Sequence, residues 1–384
     1  MTWISGNNPN WDDARSLAYA HGEPLDTRSI SLNLAIGYVL ADDVHALSDL
    51  PPAHTAMMDG YAVRGQQPWS IAGEVHAGDH VTHIEDGTAL LVSTGAHIPA
   101  ETEMVIPTED ADELAGAVTG ELRNPHRNNV RPPGDEASVG DIVAYSGTRI
   151  TPVVAGLIAS AGHDSVQVYR RPIIDVLVTG SELISTGASH PGKIRDSLSL
   201  QIPAWAEYLG ADIHRVQVLP DELEPIIEFL YSSKADIVIT TGGTAHGPRD
   251  MIRPALLDLH GEYIIDQVQS KPGHPMLLAR IPDGPYVANL PGNPLAACVG
   301  FLTMVSPLME SLTGRDLSQL DEISFDHDID PEVTRIIPVS YTNGEWVPTE
   351  FRGSAMLRGL AHAECFAVLS PYTSSIRRLN LPWS

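Results

Sequence analysis

Between residues 172 and 313 the chain alternates short apolar runs with longer stretches whose apolar residues recur every three or four positions. IIDVLV (173–178), IHRVQV (213–218) and ADIVITT (235–241) read as strands, followed by the shorter PMLLAR (275–280) and YVANL (286–290). The stretches 196–210, 221–233, 249–259 and 294–312 read as helices. Strands that lack two-residue alternation are buried on both faces, so the pattern predicts a mostly parallel sheet with helices on each side. Ligands of such sheets sit beyond the carboxyl ends of the strands.

Outside this segment the pattern changes. Residues 48–141 are rich in Gly, Pro, Asp and Thr around short alternating runs, which predicts a β-rich region with long loops. SLNLAIGYVLADDV (31–44) and TPVVAGLIASAG (151–162) are apolar-periodic and predict helices that pack together. RIIPVSYT (335–342) and CFAVLS (365–370) predict a small β domain in the tail.

Composition narrows the function. A chain of 384 residues, 43% hydrophobic, can fill the cores of two to four domains. No apolar run is expected to come near the roughly 18–20 residues that a bilayer span takes, and no secretory signal is expected at the start of the sequence. The two cysteines, Cys298 and Cys365, lie in apolar stretches and read as small core residues, which suits the cytoplasm. Lys plus Arg number 23 against 49 Asp plus Glu, a formal charge of −26. That balance excludes partners bound through many phosphates, nucleic acid and anionic membranes alike. An anionic substrate then needs a local device: backbone N–H groups, a few placed cations or a divalent metal.

The sequence offers such devices at strand ends. Thr179-Gly180 ends the first strand, Thr241-Gly242-Gly243-Thr244 ends another, and Pro291-Gly292-Asn293-Pro294 ends the last and starts a helix. Lys271 and His274 flank a Pro-Gly turn, and Asp59-Gly60 and Thr94-Gly95 sit at strand boundaries of the β-rich region. Alone, each is an ordinary turn signature. Several of them at the carboxyl ends of one sheet point to an anion site, where bare backbone and helix N-termini meet phosphate. Asp250 cannot bind an anion itself, so a metal is its expected ligand, with the carboxylate facing solvent. The run with His76, His80, His83, Glu85 and Asp86 has a superficial zinc spacing, but neither helix nor strand would gather these side chains, and it reads as a solvated loop.

The motifs MMDGYAVR (57–64), STGAHIP (93–99), RPPGDEASVGDIV (131–143), TTGGTAHGPRD (240–250), KPGHP (271–275), LPGNP (290–294) and GSAML (353–357) occur in one order along the chain. With the stretch 151–183, they resemble the molybdopterin molybdenumtransferases, the MoeA and gephyrin E-domain family, over almost the full length. The resemblance implies a doubly wound α/β domain binding molybdopterin (1–24 with 172–317) and a helical linking domain (25–47 with 142–171). It also implies a β-rich domain (48–141) and a small barrel-like C-terminal β domain (318–384). It implies Mg²⁺-dependent cleavage of adenylylated molybdopterin with insertion of molybdate and release of AMP, by a homodimer.

Matched position by position, the resemblance implies catalytic roles for Asp59, Thr94, Asp135, Glu136, Glu182 and Lys271. It places substrate on Thr179, Gly180, Thr241, Gly242, Gly243, Thr244, His274, Pro291, Gly292, Asn293, Pro294 and Ser354, and the metal on Asp221 and Asp250. The chain departs from the family pattern at Thr55, Leu198, Gln267, His274 and Ala363-Glu364; at Gln267 and His274 the family carries lysine. The form GGTAHGPRD is also similar to molybdopterin adenylyltransferases, which leaves that activity, or a catalytically weak scaffold, as the alternatives.

Overall fold

The computed structural model describes residues 8–124, 126–243, 250–325, 332–371 and 375–384. Two compact units share the chain: residues 1–28, 37–41 and 169–384 form the first, and 29–36 with 42–168 the second.

The first unit is built on a six-stranded mixed sheet. Its strands run in the order Asp212–Leu219, Ile173–Thr179, Ile237–Thr241, Tyr286–Leu290, Leu277–Arg280, Glu262–Asp266. The first four are parallel and the last two antiparallel. Helices Leu198–Tyr208, Leu223–Ser232 and Ile252–Asp258 connect them, each a few residues shorter than the periodicity predicts. Ile174, Val176 and Val178 pack into one apolar cluster with Ile202, Trp205 and Phe301. Leu177 and Val238 face a second cluster with Ile226, Phe229 and Leu256. Both faces are therefore covered, as continuous apolar strands require.

Contrary to the expectation of no membrane-length run, Pro294–Leu312 is long and apolar enough to cross a bilayer. Its side chains are almost all buried in this unit, and it is a core helix. Trp11 Nε1 donates to Thr303 Oγ1 at 2.8 Å, tying the helix Trp11–Ala20 to it. Cys298 and Cys365 are free and buried, and burial pushes the Cys365 thiol up to about 11.

The tail folds as strands Thr334–Thr342, Glu345–Pro348, Cys365–Leu369 and Ile376–Asn380, with the short helix Leu357–Ala361. A two-residue strand, Ser270–Lys271, joins this sheet in parallel, pairing Ser270 with Thr334 and Lys271 with Arg335.

In the second unit a six-stranded sheet runs in the order Met104–Pro107, Gly60–Val63, Thr88–Val92, Trp69–Val75, Ala117–Gly120, Ala111–Leu114. Helix Pro152–Ser160 forms as predicted, its N-cap Thr151 accepting from Val154 N at 3.2 Å. The stretch 31–44 does not form an α-helix. It carries a 3₁₀ turn, Leu32–Leu34, and two-residue strands at Val39–Leu40 and Val44–His45. Leu34 and Ile36 are 65% and 47% exposed, so the apolar residues make no single helix face, and Gly37 turns the chain at φ +89°.

Candidate functional site

The carboxyl ends of the parallel strands converge as a tight backbone edge. Thr179 Oγ1 donates to Thr241 O at 2.7 Å, Gly242 N donates to Leu290 O at 3.2 Å, and Gly180 N donates to Leu219 O at 3.3 Å. Gly242 has φ +83°, and a Cβ there would meet Thr179 O and Oγ1 at 2.9 Å, so side chains are excluded where the strands come together. Gly292 lies beside it, its Cβ position 3.7 Å from Gly242 Cα. Gly243 has φ +56°, and its Cβ position is 3.2 Å from Asp250 Oδ1. The loops Thr179-Gly180, Thr241-Gly242-Gly243 and Pro291-Gly292-Asn293-Pro294 are thus brought together; Thr244 lies outside the described residues.

Beside Pro291 and Asn293 opens a cavity of about 390 Å³. Its ionisable lining consists of Lys271, His274, Arg335 and Arg352, and no described lining residue is acidic. In a chain of charge −26 this is a local inversion of sign. Asn293 and Ser354 complete the polar wall, with Asn293 Nδ2 donating to Ser354 Oγ at 3.3 Å. The Ser354 carbonyl accepts from Leu295 N and Ala296 N at 3.0 and 3.2 Å, so the GSAML turn caps the helix that follows PGNP. His274 Nδ1 lies 2.8 Å from Val268 O. A carbonyl only accepts, so Nδ1 carries the hydrogen and Nε2 is the ring nitrogen left for a ligand.

The second unit holds two further groups of candidate residues. Asp59 Oδ1 accepts from Thr94 N at 2.6 Å and from Thr94 Oγ1 at 2.8 Å. These bonds, the backbone one first, hold the exposed Asp59 carboxyl below its ordinary value. Asp135 and Glu136 are both gripped by Arg131, at 3.1 Å from Nε and 2.9 Å from Nη2, and the pairing raises the arginine, Glu136 contributing most. The histidine-rich loop gathers no metal: the described residues hold no cluster of three His, Cys, Asp or Glu placed for one. His80 instead stacks on His97 with ring centroids 4.8 Å apart.

Residues 10–162 match the MoeA N-terminal region (domain I and II), and residues 175–311 match the "Probable molybdopterin binding domain". The chain belongs to the MoeA family. It is 29% identical over 381 residues to a molybdopterin molybdenumtransferase of Staphylococcus epidermidis, covering 93% of this chain and 91% of that one. The enzyme of the same name from Staphylococcus aureus MSSA476 is 29% identical over 365 residues, covering 89% and 86%. Among solved structures, the molybdopterin biosynthesis moeA protein of Pyrococcus horikoshii OT3 superposes with a TM-score of 0.78 at 23% identity, over 97% of this chain and 98% of that chain. This likeness carries the fold.

Two positions expected from the MoeA pattern to hold the metal differ in setting. Asp221 is half-buried, and among the described residues only Ser181 donates to it, from N at 3.0 Å and Oγ at 3.2 Å, both to Oδ2. A carboxylate with one uncommitted oxygen suits Mg²⁺, which commonly takes one or two protein carboxylates and substrate phosphate oxygens. Asp250, expected to face solvent, is only 8% exposed. Its Oδ1 accepts from Arg253 N at 3.3 Å, and its Oδ2 lies 3.4 Å from Arg253 Nε. Burial lowers the Arg253 guanidinium, but Asp266, then Tyr263 and last Asp250 outweigh it and leave it above its ordinary value. The carboxylate expected to face solvent is thus buried, paired with the Arg253 guanidinium at the start of helix Ile252–Asp258. Glu182 is exposed on the turn after Thr179-Gly180.

The MoeA pattern did not reveal Arg335 and Arg352. Arg335 is the second residue of strand Thr334–Thr342 and Arg352 directly precedes GSAML; neither residue type has a turn or spacing signature. Only the pairing of Ser270–Lys271 with Thr334–Arg335 brings the first to the cavity.

Proposed function

We propose that this chain is a molybdopterin molybdenumtransferase that binds adenylylated molybdopterin and molybdate, cleaves the adenylate–phosphate anhydride and leaves molybdenum on the pterin dithiolene, releasing AMP. The observation that carries the reading is the cavity whose charged lining is Lys271, Arg335 and Arg352 in a strongly acidic protein. Three cations on one small cavity suit a compact oxyanion, and two arginines supply planar forks for paired oxygens. Asn293 and Ser354 add neutral polar contacts. His274 Nε2 offers a further one, its ring held by the Val268 carbonyl.

The adjoining glycine-rich strand ends would take the phosphates on backbone N–H groups, Gly242 and Gly292 keeping side chains out. Anhydride cleavage depends chiefly on positioning and on neutralising charge that builds on phosphate oxygens. Asp221 would hold Mg²⁺, which supplies charge neutralisation at those oxygens when bound. Glu182, on the same turn system, is assigned to orienting the attacking water. Asp59, Thr94, Asp135 and Glu136 would complete the site in a homodimer, and light scattering at micromolar concentration should give twice the 41.3 kDa chain mass. A monomer would remove that part of the reading.

Adenylylated molybdopterin and molybdate, with and without Mg²⁺, test the whole. The expected result is AMP release coupled to molybdenum-loaded pterin, dependent on both ions. Consumption of ATP with unadenylylated molybdopterin, and none of the adenylylated compound, would assign the chain to adenylyl transfer instead.

A further inference from the structure

Phe351 is a non-glycine residue at φ +56°, 44% exposed, in a loop with no regular structure. A bulky side chain in the left-handed region is strained, and such strain persists only where surroundings enforce it. Three contacts enforce it here. The Arg358 guanidinium lies over the Phe351 ring at 4.4 Å from its centroid. At Gly359 a Cβ would meet Glu350 O at 2.4 Å and Phe351 O at 2.7 Å, so the helix Leu357–Ala361 packs its bare backbone onto the loop carbonyls. At the other end, the Ser354 carbonyl is fixed by Leu295 N and Ala296 N. Arg352 and Gly353 lie between these two anchors, and Arg352 lines the basic cavity.

We propose that Phe351 and Arg358 are positioning residues: the stacked pair holds the loop in its strained turn, so that Arg352 is presented to the oxyanion in the Lys271–Arg335 cavity. Neither side chain lines that cavity; both line a separate one of about 310 Å³ with Glu350 and His362. An arginine on a free loop pays conformational entropy on meeting its ligand, and a clamped loop has paid it beforehand. The pair therefore acts on oxyanion affinity rather than on stability.

This inference rests on the cavity being the molybdate site, and the test separates the two. Calorimetric titration with molybdate is run on the full-length protein and on Arg335→Ala, Arg352→Ala, Phe351→Gly, Arg358→Ala and Arg358→Lys, with Tm for each. Phe351→Gly relieves the positive φ, so its Tm should equal or exceed that of the parent, while its molybdate Kd rises about tenfold. Arg358→Ala should weaken molybdate similarly, and Arg358→Lys, which keeps a cation over the ring, should restore most of the affinity. Unchanged Kd in Phe351→Gly and Arg358→Ala, with weakened binding in Arg352→Ala, overturns the positioning role and leaves the site in place. Loss of affinity in Arg335→Ala alone also overturns it, since Arg352 would then have no role to be positioned for. Unchanged Kd in both cavity-arginine variants overturns the molybdate site itself.

Discussion

Lys271 and Arg335 are register partners across a two-residue parallel pairing, Ser270–Lys271 against Thr334–Arg335. Side chains on register partners of neighbouring strands share a face, so a lysine from the α/β segment and an arginine from the C-terminal sheet enter one cavity. The two positions where the MoeA pattern has lysine and this chain has Gln267 and His274 are therefore not the measure of its positive charge. Gln267 sits in a left-handed turn at φ +71°, its N–H given to Met276 O at 2.9 Å.

Removing either cavity arginine should weaken the oxyanion selectively. A lost charge-assisted bond costs about 1.5–3 kcal/mol, or roughly 10- to 100-fold in the molybdate KM. Arg335→Ala and Arg352→Ala should show this with the KM for adenylylated molybdopterin changed little. Steady-state kinetics in each substrate checks it; equal losses in both would place the arginines elsewhere in the reaction.

Asp221 and Asp250 should behave differently, although the sequence alone groups them. Asp221→Ala removes a half-buried carboxylate and should change stability by no more than about 0.5 kcal/mol, with magnesium-dependent turnover lost. Asp250→Ala leaves the buried Arg253 with one fewer partner and should destabilise by about 1–3 kcal/mol. Denaturant titration beside a magnesium titration distinguishes them, and a fully stable Asp250→Ala would contradict a stabilising Asp250–Arg253 pair.

Gly242→Ala should be poorly tolerated. The added Cβ would press on Thr179 O and Oγ1 at 2.9 Å, at a φ of +83° that alanine rarely adopts. A loss of about 1–3 kcal/mol is expected, read as a lower Tm together with weaker binding of adenylylated substrate. An unchanged Tm would mean the strand ends part easily.

The Asp59 carboxyl should titrate below the ordinary range of about 3.9. Because the folded value is depressed, its contribution to stability is present above that range and is lost as pH falls through the folded value. Thr94→Val removes the hydroxyl donor and keeps the backbone N–H, the larger cause, so the Asp59 value should rise in part. Carbon-detected NMR titration of the aspartate side chain measures it. A full return to the ordinary value would assign the depression to the hydroxyl alone.

The strands at 173–179 and 237–241 were legible because each is an apolar run buried on both faces, and periodicity reports burial directly. The glycine loops were legible for a related reason: Gly242 must have no side chain, and composition shows that. The stretch 31–44 was not, since its apolar residues are shared between buried positions such as Leu32 and Leu40 and exposed ones such as Leu34. The setting of Asp250 was hidden as well. A carboxylate looks the same in sequence whether it meets a metal or a buried arginine, and its partner, Arg253, lies one helical turn on. Arg335 and Arg352 became visible only through tertiary pairing.

Anomalous diffraction from a molybdate-soaked crystal decides whether the oxyanion binds in the cavity of Lys271, Arg335 and Arg352. The expected result is a molybdenum peak inside that cavity, within hydrogen-bonding reach of the two guanidinium groups, and no such peak in the Arg335→Ala, Arg352→Ala double variant. A peak elsewhere in the protein at saturating molybdate, with this cavity empty, would contradict it.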